Sequence, residues 1–273
     1  RKRAVNQKEK VVSPKRKVVS PKRPVVSLKR PVVKGRPVVK RKVVKGILKK
    51  ILLIILGIIP EVKSAIDVGC GVGTWLSVLK KMGVKKICGM DGNWVSKEYL
   101  VIPKDSFFTQ DLENFRIENN YDLAISLEVA EHISSDNANS FTRELAQCSD
   151  FILFSAATPG QGGVGHINEQ WTGYWSSQFT KHGFIGIDPV RKRIWNDEKI
   201  PSWYKKNTVL FVKKERINDL RLNNNIVDHI IPEDYCIRFN ELMYPGVVTG
   251  FRAFVQGIKN KKSRIKSIIQ DIF

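Results

Sequence analysis

The chain has 273 residues, 42% hydrophobic and 27% charged, with a formal net charge of +21. That length and apolar content exclude a small stapled scaffold or a wholly disordered chain, and leave room for one sizeable domain with appendages. The charge is local: residues 1–46 hold 18 lysines and arginines against the single acid Glu9, whereas the other 227 residues hold 29 basic and 25 acidic groups.

In the basic segment a Val-Val pair recurs at 11–12, 18–19, 25–26, 32–33, 38–39 and 43–44. A near-heptad spacing suggests a coiled coil, but Pro14, Pro21, Pro24, Pro31 and Pro37 oppose it, because proline removes an amide donor and clashes with the preceding turn. Residues 1–46 are therefore expected to form an extended, disordered Lys/Arg/Pro/Val tail. "SPKR" at 13–16 and 20–23 resembles the Ser-Pro-basic repeats of histone tails. Such a tail could bind nucleic acid through its phosphates, or an anionic membrane surface; it could equally be a low-complexity extension without a partner. It has no aromatic residue, so base stacking is not among its means.

The body reads as strands alternating with helices. An apolar helix is expected over 47–59, ended by Pro60; its run "ILLIILGII" is about half of the roughly 20 residues a membrane span requires. "KSAIDVG" at 63–69 is a buried strand entering a turn, and "TWLSVLKKMG" at 74–83 a helix closed by Gly83. Further strands are expected at 85–91, 121–128 and 150–156, with a helix over 134–148 capped by Ser134 or Ser135. This alternation implies an α/β fold, a mostly parallel sheet with crossover helices, whose ligands sit beyond the carboxyl ends of the strands. Asp67, Asp91 and Glu128 each follow an apolar strand at that end.

The turn after the first strand, Asp67-x-Gly69-x-Gly71-x-Gly73, spaces its glycines evenly, unlike a dinucleotide fingerprint. It resembles motif I of class I S-adenosylmethionine (SAM)-dependent methyltransferases, and "ISLEVAEHI" at 125–133 resembles the fourth-strand signature of their small-molecule branch. The resemblance implies a Rossmann-like domain over 47–215 with SAM as cofactor. It also implies a cofactor-binding set of Asp67, Gly69, Cys70, Gly71, Gly73, Asp91, Gly92, Asp111, Leu112, Leu127 and Glu128. Within it, Asp67 would face the ammonium, Asp91 the ribose hydroxyls, and Asp111 the adenine amino group with Leu112 beside the ring. "LFSAATPGQGGVGHINEQW" at 153–171 and "RIWNDEKIPSWYKKNTVLFV" at 193–212 resemble a bacterial subfamily often encoded among glycosyltransferases of surface-glycan clusters.

A sulfonium methyl needs chiefly an aligned nucleophile, and a hydroxyl acceptor also needs a base. His166, Glu131 and His132 are the catalytic candidates because all follow strand ends at one mouth. His166 is either the base or a residue that fixes the glycine-rich loop; Glu131 and His132 have bland readings as a segment cap and a cofactor-edge contact. The four histidines and four cysteines lack close ligand spacing, so no metal site is expected. The widely separated Cys70, Cys88, Cys148 and Cys236 point to free thiols in a reducing compartment, hence the cytoplasm. Arg191, Lys192 and Arg193 read as a solvated turn, with phosphate binding as the alternative, and Lys205 and Lys206 as solvated charges. The extension 216–273 is expected to be helical, its basic amphipathic end 247–273 packed on the body or in peripheral contact with a membrane.

The expected reaction is therefore methyl transfer to a hydroxyl of a sugar, glycan precursor or other small molecule. The rivals are a nucleic-acid methyltransferase, acting on ribose or a cap and recruited by the tail, and a decayed SAM-binding scaffold.

Overall fold

The computed structural model describes the backbone of residues 38–221 and side chains from residue 45. The tail repeats before residue 38 and the C-terminal stretch 222–273, including the amphipathic segment, lie outside the described residues.

The first helix, α1 (Val38–Leu56), begins eight residues before the expected end of the tail at residue 46. The disorder expectation rested on prolines, and Pro37 is the last of them. A proline just ahead of a helix costs no internal hydrogen bond, and its ring sets the entering backbone near helical φ. Leu48, Ile51, Leu52 and Ile55 fall on one face at three- and four-residue spacing and are buried. Burial of each such side chain contributes about 1.5–3 kcal/mol.

Strand β1 (Ser64–Val68) is followed by α2 (Thr74–Lys81), β2 (Lys86–Asp91), β3 (Phe107–Thr109), β4 (Leu123–Leu127), α3 (Ala138–Cys148) and β5 (Phe151–Ser155). Then come α4 (Thr172–Thr180), β6 (Phe184–Ile187), α5 (Arg191–Ile194), α6 (Ser202–Asn207) and β7 (Val209–Lys213). The described strands form one seven-stranded sheet in the order β3-β2-β1-β4-β5-β7-β6. Strands β1 to β5 pair in parallel, and β7 slots antiparallel between β5 and β6. The parallel α/β sheet expected from the alternating pattern is present, with three strands more than the four assigned from sequence.

Alternation along β1 divides the core. Ala65 joins a layer with the apolar faces of α1 and α2, whereas Ile66 and Val68 join Phe141 and Leu145 of α3 and Trp175 and Phe179 of α4. Trp175 and Phe179 thus pack inward, as their spacing suggests. Gly83 closes α2 with φ +104°, and the Val84 N–H donates back to the Leu79 carbonyl at 3.1 Å.

Three local expectations fail. Residue Asn137 precedes α3, and Ser134 is no cap: its N–H and hydroxyl, with the Asn137 amide, donate to the Glu113 carboxylate at 2.7–2.9 Å. Arg191 is no solvated charge; it is fully buried, with Nε 2.9 Å from Asp188. Lys206 is likewise buried. Arg191 also donates to the Lys206 carbonyl at 3.3 Å, a closure of α6 on α5 that neighbours in the chain do not reveal.

The strand order reverses between β1 and β4, both running in the same direction. Their carboxyl ends therefore open the crevice where such sheets bind ligands.

Candidate functional site

Residues 69–73 form the floor of this crevice. The Gly69 and Cys70 N–H groups donate to the Met90 carbonyl at 2.8 and 3.1 Å, tying the turn to the end of β2. Gly69 and Gly73 both have φ +82°, the left-handed region that side chains disfavour. A Cβ at Gly69 would lie 2.3 Å from Val129 Cγ2, and one at Gly73 would lie 2.7 Å from Ile102 Cγ1. Bare backbone is required by both conformation and space.

The acids converge on this floor. The Asp91 carboxylate accepts the Gly71 N–H at 2.6 Å and the Gly92 N–H at 2.7 Å. Asp67 is 2% exposed, and its Oδ2 has no hydrogen-bond partner. Burial first, and the neighbouring Asp91 charge second, hold the Asp67 pKa well above the ordinary 3.8. Two buried carboxylates facing one turn of bare N–H groups and carbonyls make a site that a cation relieves. Burial, and then the charges of Asp67 and Asp91, also push the Cys70 thiol far up, so Cys70 packs as a neutral group.

Glu128 follows β4 with φ 57°, the left-handed region again, but here with a side chain to accommodate. Its N–H donates to the Ser155 carbonyl at 2.9 Å, and its carboxylate accepts Gln161 Nε2 at 2.6 Å and Asn207 Nδ2 at 3.0 Å. Gln161 and Asn207 were not foreseen. Asn207 sits 79 residues from Glu128 at the end of α6, and no local pattern marks it. Leu127 ends β4 and is half-buried. Leu112 is buried in the layer with Val68 and Met90, whereas Asp111 is exposed and accepts the Glu113 N–H at 3.1 Å. Gly92 abuts Trp94, whose ring a Cβ there would strike at 2.1 Å.

The three catalytic candidates come together beyond β4. Glu131 and His132 lie on a tight turn, Ala130–His132, and His166 on the facing loop. The Glu131 carbonyl accepts the Ile167 and Asn168 N–H groups at 2.9 and 3.0 Å, which fastens that loop across the crevice. The Glu131 side chain is 1% exposed, and its Oε1 is 3.8 Å from His166 Nε2. The other His166 nitrogen, Nδ1, is 2.7 Å from Glu169 Oε1. The His132 ring meets the His166 ring edge-on at 4.9 Å, with His132 Nδ1 2.9 Å from the Gly165 carbonyl. A Cβ at Gly163 would fall 2.1 Å from His166 Nε2, so that position beside the histidine has room for glycine alone. Ligand atoms of Glu131, His132 and His166 all lie within 4.8 Å of one another. The absence of close spacing along the chain thus did not carry over into space.

Tyr204, from the aromatic-rich segment, packs edge-on against Trp75 at 5.6 Å. Its pKa is pushed up to about 12, by burial and then by Glu128. Trp171 and Trp203 keep exposed ring surface.

A family model described as a methyltransferase domain matches residues 41–196, more than half of the chain. The chain belongs to the methyltransferase domain family. It is a class I SAM-dependent methyltransferase by that membership, and the acids and glycines of the crevice fit a cationic cofactor laid along bare backbone. No curated protein matches its sequence. Among solved structures, this methyltransferase resembles DesVI of Streptomyces venezuelae, with 13% identity over 62% of this chain and 91% of that one, TM-score 0.45. It also resembles magnesium protoporphyrin IX methyltransferase from Synechocystis with bound SAM, with 18% identity, 66% and 86% coverage, TM-score 0.45. Human N-acetylserotonin methyltransferase in complex with SAM shares 12% identity over 64% of this chain, TM-score 0.43. The methyltransferase spans 52% of that human enzyme's length. Likenesses of this order say nothing of the acceptor.

Proposed function

We propose that this methyltransferase moves the methyl group of SAM to a hydroxyl of a sugar, a glycan precursor or a similarly polar small molecule. The observation that carries the reading is the acid–histidine cluster beyond β4: a buried Glu131 facing His166, whose far nitrogen is anchored on Glu169. A neutral amine is nucleophilic enough to attack before it loses a proton, whereas a hydroxyl needs a proton acceptor as it attacks. In the proposed step the hydroxyl oxygen attacks the methyl carbon in line with the departing sulfur. The carbon–oxygen bond forms as the carbon–sulfur bond breaks, S-adenosylhomocysteine leaves, and the hydroxyl proton passes to the cluster, His166 first. Asp67 and Asp91 would hold the ammonium and ribose of the cofactor, with Gly69, Gly71 and Gly73 beneath it. Exposed apolar surface on Val164, Ile167 and Trp171 of the same loop suits the face of a sugar ring.

Among the described residues no helix is long and apolar enough to cross a membrane. Three free, buried thiols, Cys70, Cys88 and Cys148, suit a reducing compartment, and we place the reaction in the cytoplasm. The basic segment favours a second reading, in which a nucleic-acid ribose is the acceptor and the tail recruits it. One experiment separates the readings: the protein is incubated with methyl-labelled SAM and host extract, and the labelled product is treated with glycan-cleaving enzymes, nuclease or protease. Label released by glycan cleavage supports the proposal. Release by nuclease replaces the acceptor and makes the tail its recruiter. SAM binding with no labelled product from any extract would leave a binding scaffold.

A further inference from the structure

We infer that Glu131, His132 and His166 form a binding site for one divalent first-row transition cation, zinc first among them. Two histidines and one carboxylate place their ligand atoms within 4.8 Å of one another, and Glu131 Oε1 stands 3.8 Å from His166 Nε2. That separation is too long for a hydrogen bond and close to what two ligands of one ion require. Ligands held about 2.0–2.1 Å from a tetrahedral zinc sit about 3.3 Å apart, so the cluster closes on the ion by small side-chain rotations.

A second observation concerns the outer faces of the two rings. Histidines that ligate metals hold the other ring nitrogen on a carboxylate or a backbone carbonyl, which fixes ring orientation and raises ligand basicity. Both arrangements occur here: His166 Nδ1 on Glu169 Oε1 at 2.7 Å, and His132 Nδ1 on the Gly165 carbonyl at 2.9 Å. The Glu131 carbonyl, by accepting the Ile167 and Asn168 N–H groups, locks the two ligand-bearing segments into one frame. Glu131, 1% exposed, brings the cluster its one carboxylate.

The donor set selects the class of ion. Two imidazoles and one carboxylate suit borderline transition cations better than calcium or magnesium, and three protein ligands leave a coordination position open to an oxygen. An acceptor hydroxyl entering that position would lose its proton more readily. His166 would then act as a ligand, and the proton-acceptor role proposed above applies to the metal-free state. The site itself stands on the cluster geometry and not on the methyl-transfer reading.

The test uses the untagged full-length chain, stripped of metal by chelator. Cobalt(II) is titrated in while its visible ligand-field bands are followed, and zinc(II) is added in competition. The expected result is saturation at one equivalent with bands of a four- or five-coordinate ion, displaced by zinc. Glu131→Gln and His166→Ala should each lower affinity by more than tenfold, and Glu169→Gln, whose carboxylate holds His166 Nδ1 and accepts the Gly160 and Gly162 N–H groups but is no ligand, by about tenfold. His182→Ala, outside the cluster, should bind as the unaltered chain does. No saturable binding, or undiminished binding in both Glu131→Gln and His166→Ala, would overturn the site. Should those variants fold poorly, zinc-induced shifts of the His132 and His166 ring nitrogens, read by nitrogen NMR in the unaltered protein, decide the matter: unshifted resonances also overturn it. SAM affinity measured on the same metal-free sample reports separately on the methyltransferase reading.

Discussion

Gly69 holds a left-handed conformation against Val129, and nothing but a hydrogen fits on its Cα. Gly69→Ala is expected to cost about 2–5 kcal/mol, the left-handed penalty plus overpacking, measured by chemical denaturation of the cofactor-free protein. Asp91 acts differently, since its carboxylate organises two backbone amides and is the candidate partner of the ribose. Asp91→Ala should weaken SAM binding about ten- to hundredfold, as expected for lost hydrogen bonds to a charged group. Unchanged affinity in calorimetry would remove Asp91 from the ribose site. Asp67 predicts a pH effect whose sign follows from its raised pKa. Its contribution to stability is fully present below the ordinary value of 3.8 and is lost as pH rises through the higher folded value. Cofactor-free protein should therefore lose stability with rising pH across that window. Asp67→Asn should flatten the loss, and a bound cation should oppose it. A slope unaltered in Asp67→Asn would assign the loss to other groups.

At the scale of elements, α1 does more than precede the domain. It supplies Leu48, Ile51, Leu52 and Ile55 to the layer that also receives α2 and β1, so part of the core comes from a segment adjoining the basic repeats. Leu52→Ala should destabilise the protein by about 2–5 kcal/mol, read as a lower denaturant midpoint with unchanged slope. A near-neutral result would mean that α1 is dispensable to the core. The loop over 158–171 is the other element with a distinct role. It is pinned at three points, through Gln161 on Glu128, the Gly165 carbonyl on His132 and backbone groups on Glu131, and so joins the glycine floor to the acid–histidine cluster.

For the whole molecule, charge is divided between parts. Most of the basic excess lies before the described residues, and the crevice of the domain is lined by the acids Asp67, Asp91 and Glu128. Removal of residues 1–37 should leave SAM affinity unchanged within about twofold, the spread of errors expected where no contact is lost. The same deletion should abolish any salt-sensitive binding to duplex DNA or anionic vesicles, since that term scales with the phosphates neutralised. Retained polyanion binding after deletion would move the interaction to the folded domain.

The sequence by itself determined four strands of the sheet, the glycine turn, the acids at the carboxyl ends of β1, β2 and β4, and the family, because these depend on short-range rules. Apolar runs, turn residues and fixed spacings act over a few positions and stay visible in the chain. It also held the start of α1, once Pro37 is recognised as the last proline of the repeat. Only the tertiary structure decided which distant groups meet. Asn207 reaches Glu128, Arg191 donates to the Lys206 carbonyl, and Glu131, His132 and His166 gather within 4.8 Å. Such encounters depend on how strands stack and loops return, and β7 entering antiparallel is what brings the end of α6 back to the crevice. A side chain's partners are set by those long-range closures, so its chemistry was legible from sequence only where its partner stood nearby in the chain.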